Sequence, residues 1–532
     1  MSSEPRKPAS TDAPHAPRKG RFSVNLASRL LNYGLGILVG LWLTPYLIRH
    51  LGVAAYGLVP LVMTVTSYMG LLTVSLNGAV GRFITIALDR QDYDEANRVF
   101  NTSFWGTLAI LILVAAPCLW FCVHAGLFFN LPAGYEKQFT WLFLCAMSVF
   151  FLTALGSAFS VSSFCMNRFD LDNMVGIAST AVRVCSILAL FNILAPNVMY
   201  VGFSLVAASV TNIALTLVVW RYLTPMLRLD PYGFSKGMFF KLTGMGGWIV
   251  VNQLGSLLFL SIDLIVVNRI LGAESAGRYG AVMMWSSQLR NLAGVMASVF
   301  APTIVSLYGQ QDIPTLISYC RRAVKFVGLV MALPIGLVCG FARPLLNVWL
   351  GASFDPLASL LLFMTIHLCV NLAVIPLFAV QVATNRVRTP GILTLLMGLG
   401  NLGLALLLSG PMGWGMYGVA GAGAIMLTAK NLLFTPGYAA HILGVQRLTF
   451  YGEVLPIVGG TLALVGTGWL LSHSIQPHTW FQLGLSAMAA VGMILPLFYR
   501  FLLTQQERNE VMGLVSPVVR NSTQWMNRLC HK

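Results

Sequence analysis

Apolar stretches long enough to cross a bilayer follow one another along almost the whole chain, broken only by short polar turns. A helix needs about 20 predominantly apolar residues to span the hydrocarbon. Fourteen stretches meet that condition: 23–48, 56–86, 102–125, 138–164, 171–194, 197–221, 243–268, 279–307, 323–344, 356–383, 389–410, 414–441, 454–473 and 480–503. The divisions are least marked within 171–221 and 389–441, where the turns "LAPN" and "SGPMGWG" separate helices. The pattern predicts an all-α polytopic membrane protein of about fourteen transmembrane helices, with twelve as the lower count.

Composition agrees. Of 532 residues, 57% are hydrophobic and 9% charged, too little polar surface for a soluble fold of this length. The net charge is +16, yet no basic stripe with interleaved aromatics marks a nucleic-acid surface. Nucleic acid is therefore not an expected partner; membrane lipid is. The nine cysteines form no Cys-x-x-Cys and have no His or carboxylate at ligand spacing, so no metal site and no cofactor is expected.

Charge fixes the orientation instead. With both termini cytoplasmic, as an even number of spans requires, the external loops hold only Arg49, Lys137, Arg269, Arg278 and Arg343. Five more cations lie inside spans. The other 23 of the 33 Lys and Arg are cytoplasmic, which obeys the positive-inside rule. The expected organisation is a disordered cytoplasmic tail at 1–22, a first lobe of six helices at 23–222, and a cytoplasmic linker at 223–242. A second six-helix lobe at 243–443, two further helices at 444–503 and a cytoplasmic amphipathic tail at 504–532 complete it.

The two lobes share a repeat with an offset near 220. Arg49, Leu51 and Gly52 fall on Arg269, Leu271 and Gly272, and Tyr56-Gly57 on Tyr279-Gly280 after a short insertion. Asp92 falls on Asp312, Asn167-Arg168 on Asn385-Arg386, and Asn212 on Asn431. Six spans return the chain to the side it started from, so the repeats are parallel, a plan used by transporters that rock two bundles. The Leu-Gly…Tyr-Gly stretch reads as a structural corner, with glycine for the turn and tyrosine as an interfacial anchor.

Chemistry concentrates in the five intramembrane cations, each costing about 2.5–3.5 kcal/mol to insert even on the lenient scale. Arg183, Arg290 and Lys430 lie near mid-span, too deep to snorkel easily, and are candidates to face an anion in a water-filled cavity. Arg29 and Arg82 lie nearer the cytoplasmic ends and are candidates for a cationic entrance; reaching the headgroups is the plainer alternative. Asp263 is the acid that lies deepest inside a span. It reads either as a salt-bridge partner, with Arg269 or a cavity arginine, or as an H+ or Na+ coupling site. Helix–helix hydrogen bonding is the expected role of Asn252, Gln253 and Asn371, and His367 reads as a packing or wall residue. No nucleophile–base pair stands out, so no catalytic residue is expected.

With these features, "TPYLIRHLGVAAYGL", "IDLIVVNRILGAESAGRYGAV" and "GWGMYGVAGAGAI" resemble the Wzx-type flippases of lipid-linked oligosaccharides. These belong with the peptidoglycan-precursor flippases and the multidrug and toxin extrusion (MATE) exporters in one superfamily. The resemblance covers about residues 23–503. It implies a MATE-like fold, a cationic central cavity, alternating access, and arginine on helices 1 and 8, which favours Arg29 and Arg290. It further implies the bacterial cytoplasmic (inner) membrane, a polyprenyl-diphosphate-linked glycan as substrate, and a polysaccharide polymerase and other glycan-assembly proteins as partners. The alternative within the superfamily is a MATE-type multidrug/cation antiporter, although such exporters use first-lobe acids that helix 1 here lacks. An integral-membrane glycosyl polymerase or ligase would need a larger external loop than the dozen residues near 125–137 and 345–355.

Overall fold

The computed structural model describes residues 19–502 together with Gln505 and Arg508, and among these none lies in a strand. The chain begins with α1 (Lys19–Leu51), α2 (Val53–Met69), α3 (Leu71–Asp89), α4 (Tyr93–His124), α5 (Glu136–Cys165), α6 (Phe169–Ile193) and α7 (Val198–Leu223). It continues with α8 (Lys236–Leu260), α9 (Ile262–Ser298), α10 (Ala301–Gly309), α11 (Ile313–Gly340), α12 (Ala342–Leu350), α13 (Ala358–Ile366) and α14 (Leu368–Ala373). The last helices are α15 (Phe378–Ala383), α16 (Arg388–Ser409), α17 (Gly415–Thr428), α18 (Thr435–Ile442), α19 (Val454–Ile475) and α20 (Trp480–Leu497). The helices cluster into two compact units that divide between Gly277 and Arg278.

Among the described residues twelve stretches are long and apolar enough to cross a membrane, so the count of fourteen is approached but not reached. The differences have local causes. The expected span 56–86 is two helices, α2 and α3, separated at Gly70. The expected spans 243–268 and 279–307 fall within or beside one continuous apolar stretch, 250–309. The chain breaks there at Ser261 and at Val299–Phe300, and at the expected external turn Gly272 takes non-helical torsions like those of Gly52 between α1 and α2, so two helices meet there. The turns at "LAPN" and "SGPMGWG" do separate helices; Asn197 caps α7 by accepting the amide of Met199 at 2.9 Å. Helix α1 begins at Lys19, inside the expected tail; the rest of that tail, and the apolar stripe expected after Gln505, lie outside the described residues.

The repeat is written in backbone torsions. Gly52 has φ +82° and Gly272 φ +88°, a region that residues with a Cβ rarely enter. Two further pairs take left-handed conformations without glycine: Gln91 (φ +58°) with Gln311 (φ +59°), and Asn167 (φ +50°) with Asn385 (φ +55°). Each ends a helix in a Schellman motif. The amide two residues past the helix returns five residues back, Asp92 to Ala87 and Asp312 to Leu307, Arg168 to Ser163 and Arg386 to Gln381. Asp92 and Asp312 then cap the following helices through the amides of Glu95 and Thr315. The tyrosines of the corner motif are buried, Tyr56 at 6% exposure and Tyr279 at 0%; they pack inside their own units rather than anchoring at an interface.

In the first unit α5 packs along α7, α7 along α6, and α3 along α8. Phe100, Phe159 and Trp220 form an aromatic core with ring centroids 4.9–5.8 Å apart. Beside it the linker after α7 is fastened to α4. Asn97 donates to the carbonyl of Met226 (3.0 Å) and accepts the amide of Arg228 (2.7 Å). Asn101 donates to the carbonyl of Arg228 (2.9 Å) and accepts the amide of Asp230 (2.8 Å). One helical step of four residues rises about 6 Å, and two residues of extended chain about 6.7 Å, so two asparagines a turn apart serve the linker as a partner strand would. Asn101→Ala removes both of its partners from the linker and is expected to cost about 1–3 kcal/mol. Thermal melting of the purified variant, with faster protease cleavage within 224–235, checks this.

Candidate functional site

The five cations that the sequence marked out as candidates divide three to two between the units. In the first, α1 and α6 pack together through a polar seam. Asn25 donates to the Asn167 carbonyl at 3.1 Å, Asn173 donates to Ser28 Oγ at 3.0 Å, and Asn32 donates to Asn173 Oδ1 at 3.4 Å. Gly176 lets α6 close on Asn32, 3.0 Å from where a Cβ would stand. Arg29 belongs to this part of α1, with its side chain exposed. Arg183 lies two turns further along α6, half-buried; its Nε is shielded from solvent and makes no hydrogen bond among the described residues. Arg82, on α3, is exposed.

Asp263 is buried, at 9% exposure, in the first turn of α9, where the free amides of a helix start favour a carboxylate. It stands just after the break at Ser261. Tyr68 lies within its electrostatic reach and donates its hydroxyl to the Leu257 carbonyl at 3.1 Å. Asn252 and Gln253 depart from the helix–helix role. Both are exposed on α8, and neither side chain forms a hydrogen bond among the described residues.

In the second unit Arg290, on α9, acts electrostatically on His367. His367 stands between α13 and α14 and is joined to a network. Asn371 Nδ2 lies 2.8 Å from His367 Nδ1 and donates to the Thr428 hydroxyl at 3.0 Å. Asn431 donates to the Asn371 carbonyl at 3.3 Å. Asn371 thus bridges helices as expected. Thr428 precedes a π-helical turn, Ala429–Phe434, that contains Lys430 and Asn431. The wider turn breaks the regular ladder and rotates the side chains that follow it, a device common at functional positions. The Lys430 ammonium lies over the Phe378 ring, 5.4 Å from its centroid, a cation–π distance. A shallow groove of about 370 Å³ runs past His367 and Thr428, with otherwise apolar walls. Sequence reading missed this assembly. Its only linear signal was His367 and Asn371 at a four-residue spacing; their partner Thr428 lies 57 residues beyond Asn371.

This geometry offers cations and neutral hydrogen-bonding groups inside apolar helices. Among the described residues no group of three or more His, Cys, Asp or Glu stands close enough to hold a metal ion.

Residues 21–308, more than half of the chain, match the polysaccharide biosynthesis protein family. The chain belongs to that family. The uncharacterized membrane protein EpsK of Bacillus subtilis is a relative, 34% identical over 86% of this chain and 90% of its own length. The putative O-antigen transporter of Shigella flexneri is 22% identical over 62% of this chain and 77% of its own. Among solved structures, the lipid II flippase MurJ in an inward closed conformation superposes with TM-score 0.63 at 12% identity, over 91% of this chain and all of its own. An inward-facing multidrug resistance MATE transporter gives 0.58 at 13% identity, over 82% of this chain and 98% of its own. The chain is thus a member of the polysaccharide biosynthesis protein family with a MATE-like fold and, among the described residues, twelve stretches long and apolar enough to cross a membrane.

Proposed function

We propose that the protein moves a polyprenyl-diphosphate-linked oligosaccharide from the inner to the outer leaflet of the bacterial cytoplasmic membrane, by alternating access, for surface polysaccharide assembly. Both termini are cytoplasmic in this reading. The observation that carries it is Arg183: a guanidinium in the middle of an apolar helix whose buried Nε makes no hydrogen bond among the described residues. Such a group is costly in a membrane and is offset when an anion binds it. Arg290 and Lys430 supply the same charge in the second unit, and Arg29 and Arg82 guide the headgroup in. The barrier is the diphosphate, because charged oxygens do not cross hydrocarbon unaided, and guanidinium pairs with phosphate oxygens in a bidentate fork. The family description and the O-antigen transporter relative support a glycan cargo; MurJ, a lipid II flippase, supports a lipid-linked one. Asp263 is the candidate for H+ or Na+ coupling. A polymerase and other glycan-assembly proteins would receive the product.

The test is flipping of a labelled polyprenyl-diphosphate disaccharide in proteoliposomes held at a potential negative inside. The field is worth about 2.3 kcal/mol per charge per 100 mV, so collapsing it is expected to slow outward movement, by up to about fifty-fold for one charge. A rate indifferent to potential removes the field-driven step. No flipping, with drug resistance conferred on expression, replaces the whole reading with a MATE-type antiporter.

A further inference from the structure

We propose that the second unit carries a separate carbohydrate-binding pocket, at the junction of α11, α12 and α13 with the end of α19, which holds one or two pyranose rings of the glycan. It rests on the transport reading above only for the source of that glycan. The cavity measures about 470 Å³, within the roughly 300–1,000 Å³ usual for small-molecule sites. Its base is a close helix crossing: an added Cβ at Gly340 would stand 3.0 Å from Gly468 Cα, and one at Gly468 would stand 3.1 Å from Gly340 Cα. Above that crossing the helices leave room for the pocket.

The lining mixes apolar surface with polar groups, several of them preset. Asp355 accepts hydrogen bonds from Asn347 Nδ2 at 2.9 Å and Arg343 Nε at 3.3 Å, which fixes the carboxylate before any ligand arrives. The Arg343 side chain is 74% exposed, leaving its terminal amines to the cavity and solvent. Ser359 shares a hydroxyl pair with Tyr417 at 2.6 Å. Trp469, 55% exposed, has the His473 ring against it at 4.9 Å between centroids. An aromatic face beside fixed carboxylate, amide and guanidinium groups suits a pyranose, which has an apolar ring face and a rim of hydroxyls. The ionic groups decide the class. Arg343 and Asp355 balance each other, and a carboxylate in the wall opposes a diphosphate, so this pocket complements the cationic groups rather than duplicating them. In the orientation read from the charge distribution along the chain, this end of the helices faces outside, where a flipped glycan emerges.

The experiment is saturation-transfer NMR on the full chain in nanodiscs. The probes are a panel of free disaccharides built from hexose, N-acetylhexosamine and hexuronate units. At least one disaccharide should receive saturation, with the signal falling at least fivefold in Trp469→Ala and in Asp355→Asn at unchanged melting temperature. Trp469→Phe should retain part of it, and serves where the alanine variant does not fold. No transfer to any disaccharide, or equal transfer in the Trp469 and Asp355 variants, overturns the pocket. Loss of the pocket with flipping intact removes this proposal alone; binding intact without flipping removes only the transport reading.

Discussion

The double variant Arg183→Ala/Arg290→Ala is expected to lose flipping of the diphosphate-linked disaccharide while inserting and folding normally. Each guanidinium offers a charge-assisted hydrogen bond of about 1.5–3 kcal/mol, so either single substitution should slow transport about ten- to hundred-fold. Lysine at either site restores charge without the planar fork and should recover part of the rate. Folding should survive for a physical reason: removing a charged group from the interior of an apolar helix lowers the cost of insertion. Proteoliposome flipping, paired with melting of the same preparations, separates the two effects. Wild-type rates in both single variants would dismiss the cationic site.

The second large effect concerns the corner glycines. Gly57 and Gly277 pack backbone against backbone: a Cβ on Gly57 would lie 2.6 Å from the Gly277 nitrogen, and one on Gly277 would lie 2.1 Å from the Val53 carbonyl oxygen. Neither neighbour is a side chain free to turn aside. Gly277→Ala is therefore expected to destabilise the first unit by about 1–3 kcal/mol or more, the usual range for overpacking. Gly36→Ala is the internal contrast. An added Cβ there has nothing within 4 Å, so helix propensity alone acts, and the variant should gain roughly 0.5–1 kcal/mol. Opposite shifts in melting temperature for the two substitutions check the argument; equal shifts refute it.

These two cases show what the sequence could and could not disclose. Helices were legible because lipid demands long apolar runs, and "LAPN" and "SGPMGWG" were legible as turns because they interrupt those runs. The break at Gly272 was legible because Arg269, Glu274 and Arg278 flank it, whereas the breaks at Ser261 and Val299–Phe300 leave no compositional mark. The cations stood out because charge is rare in such helices. The company they keep did not: Arg290 comes within electrostatic reach of His367, and Asn371 reaches Thr428, only through packing of helices distant in sequence. The role of Gly277 was hidden for the same reason, since alignment paired Gly57 with Gly280 while the fold sets it against Gly277.

The matched helix endings at Gln91 and Gln311, and at Asn167 and Asn385, have a consequence for design. Both halves reverse the chain with the same torsion angles although neighbouring letters differ, so the path there is held by geometry more than by spelling. Transplanting one hairpin into the other half would exchange sequence while leaving the path of the chain as it was.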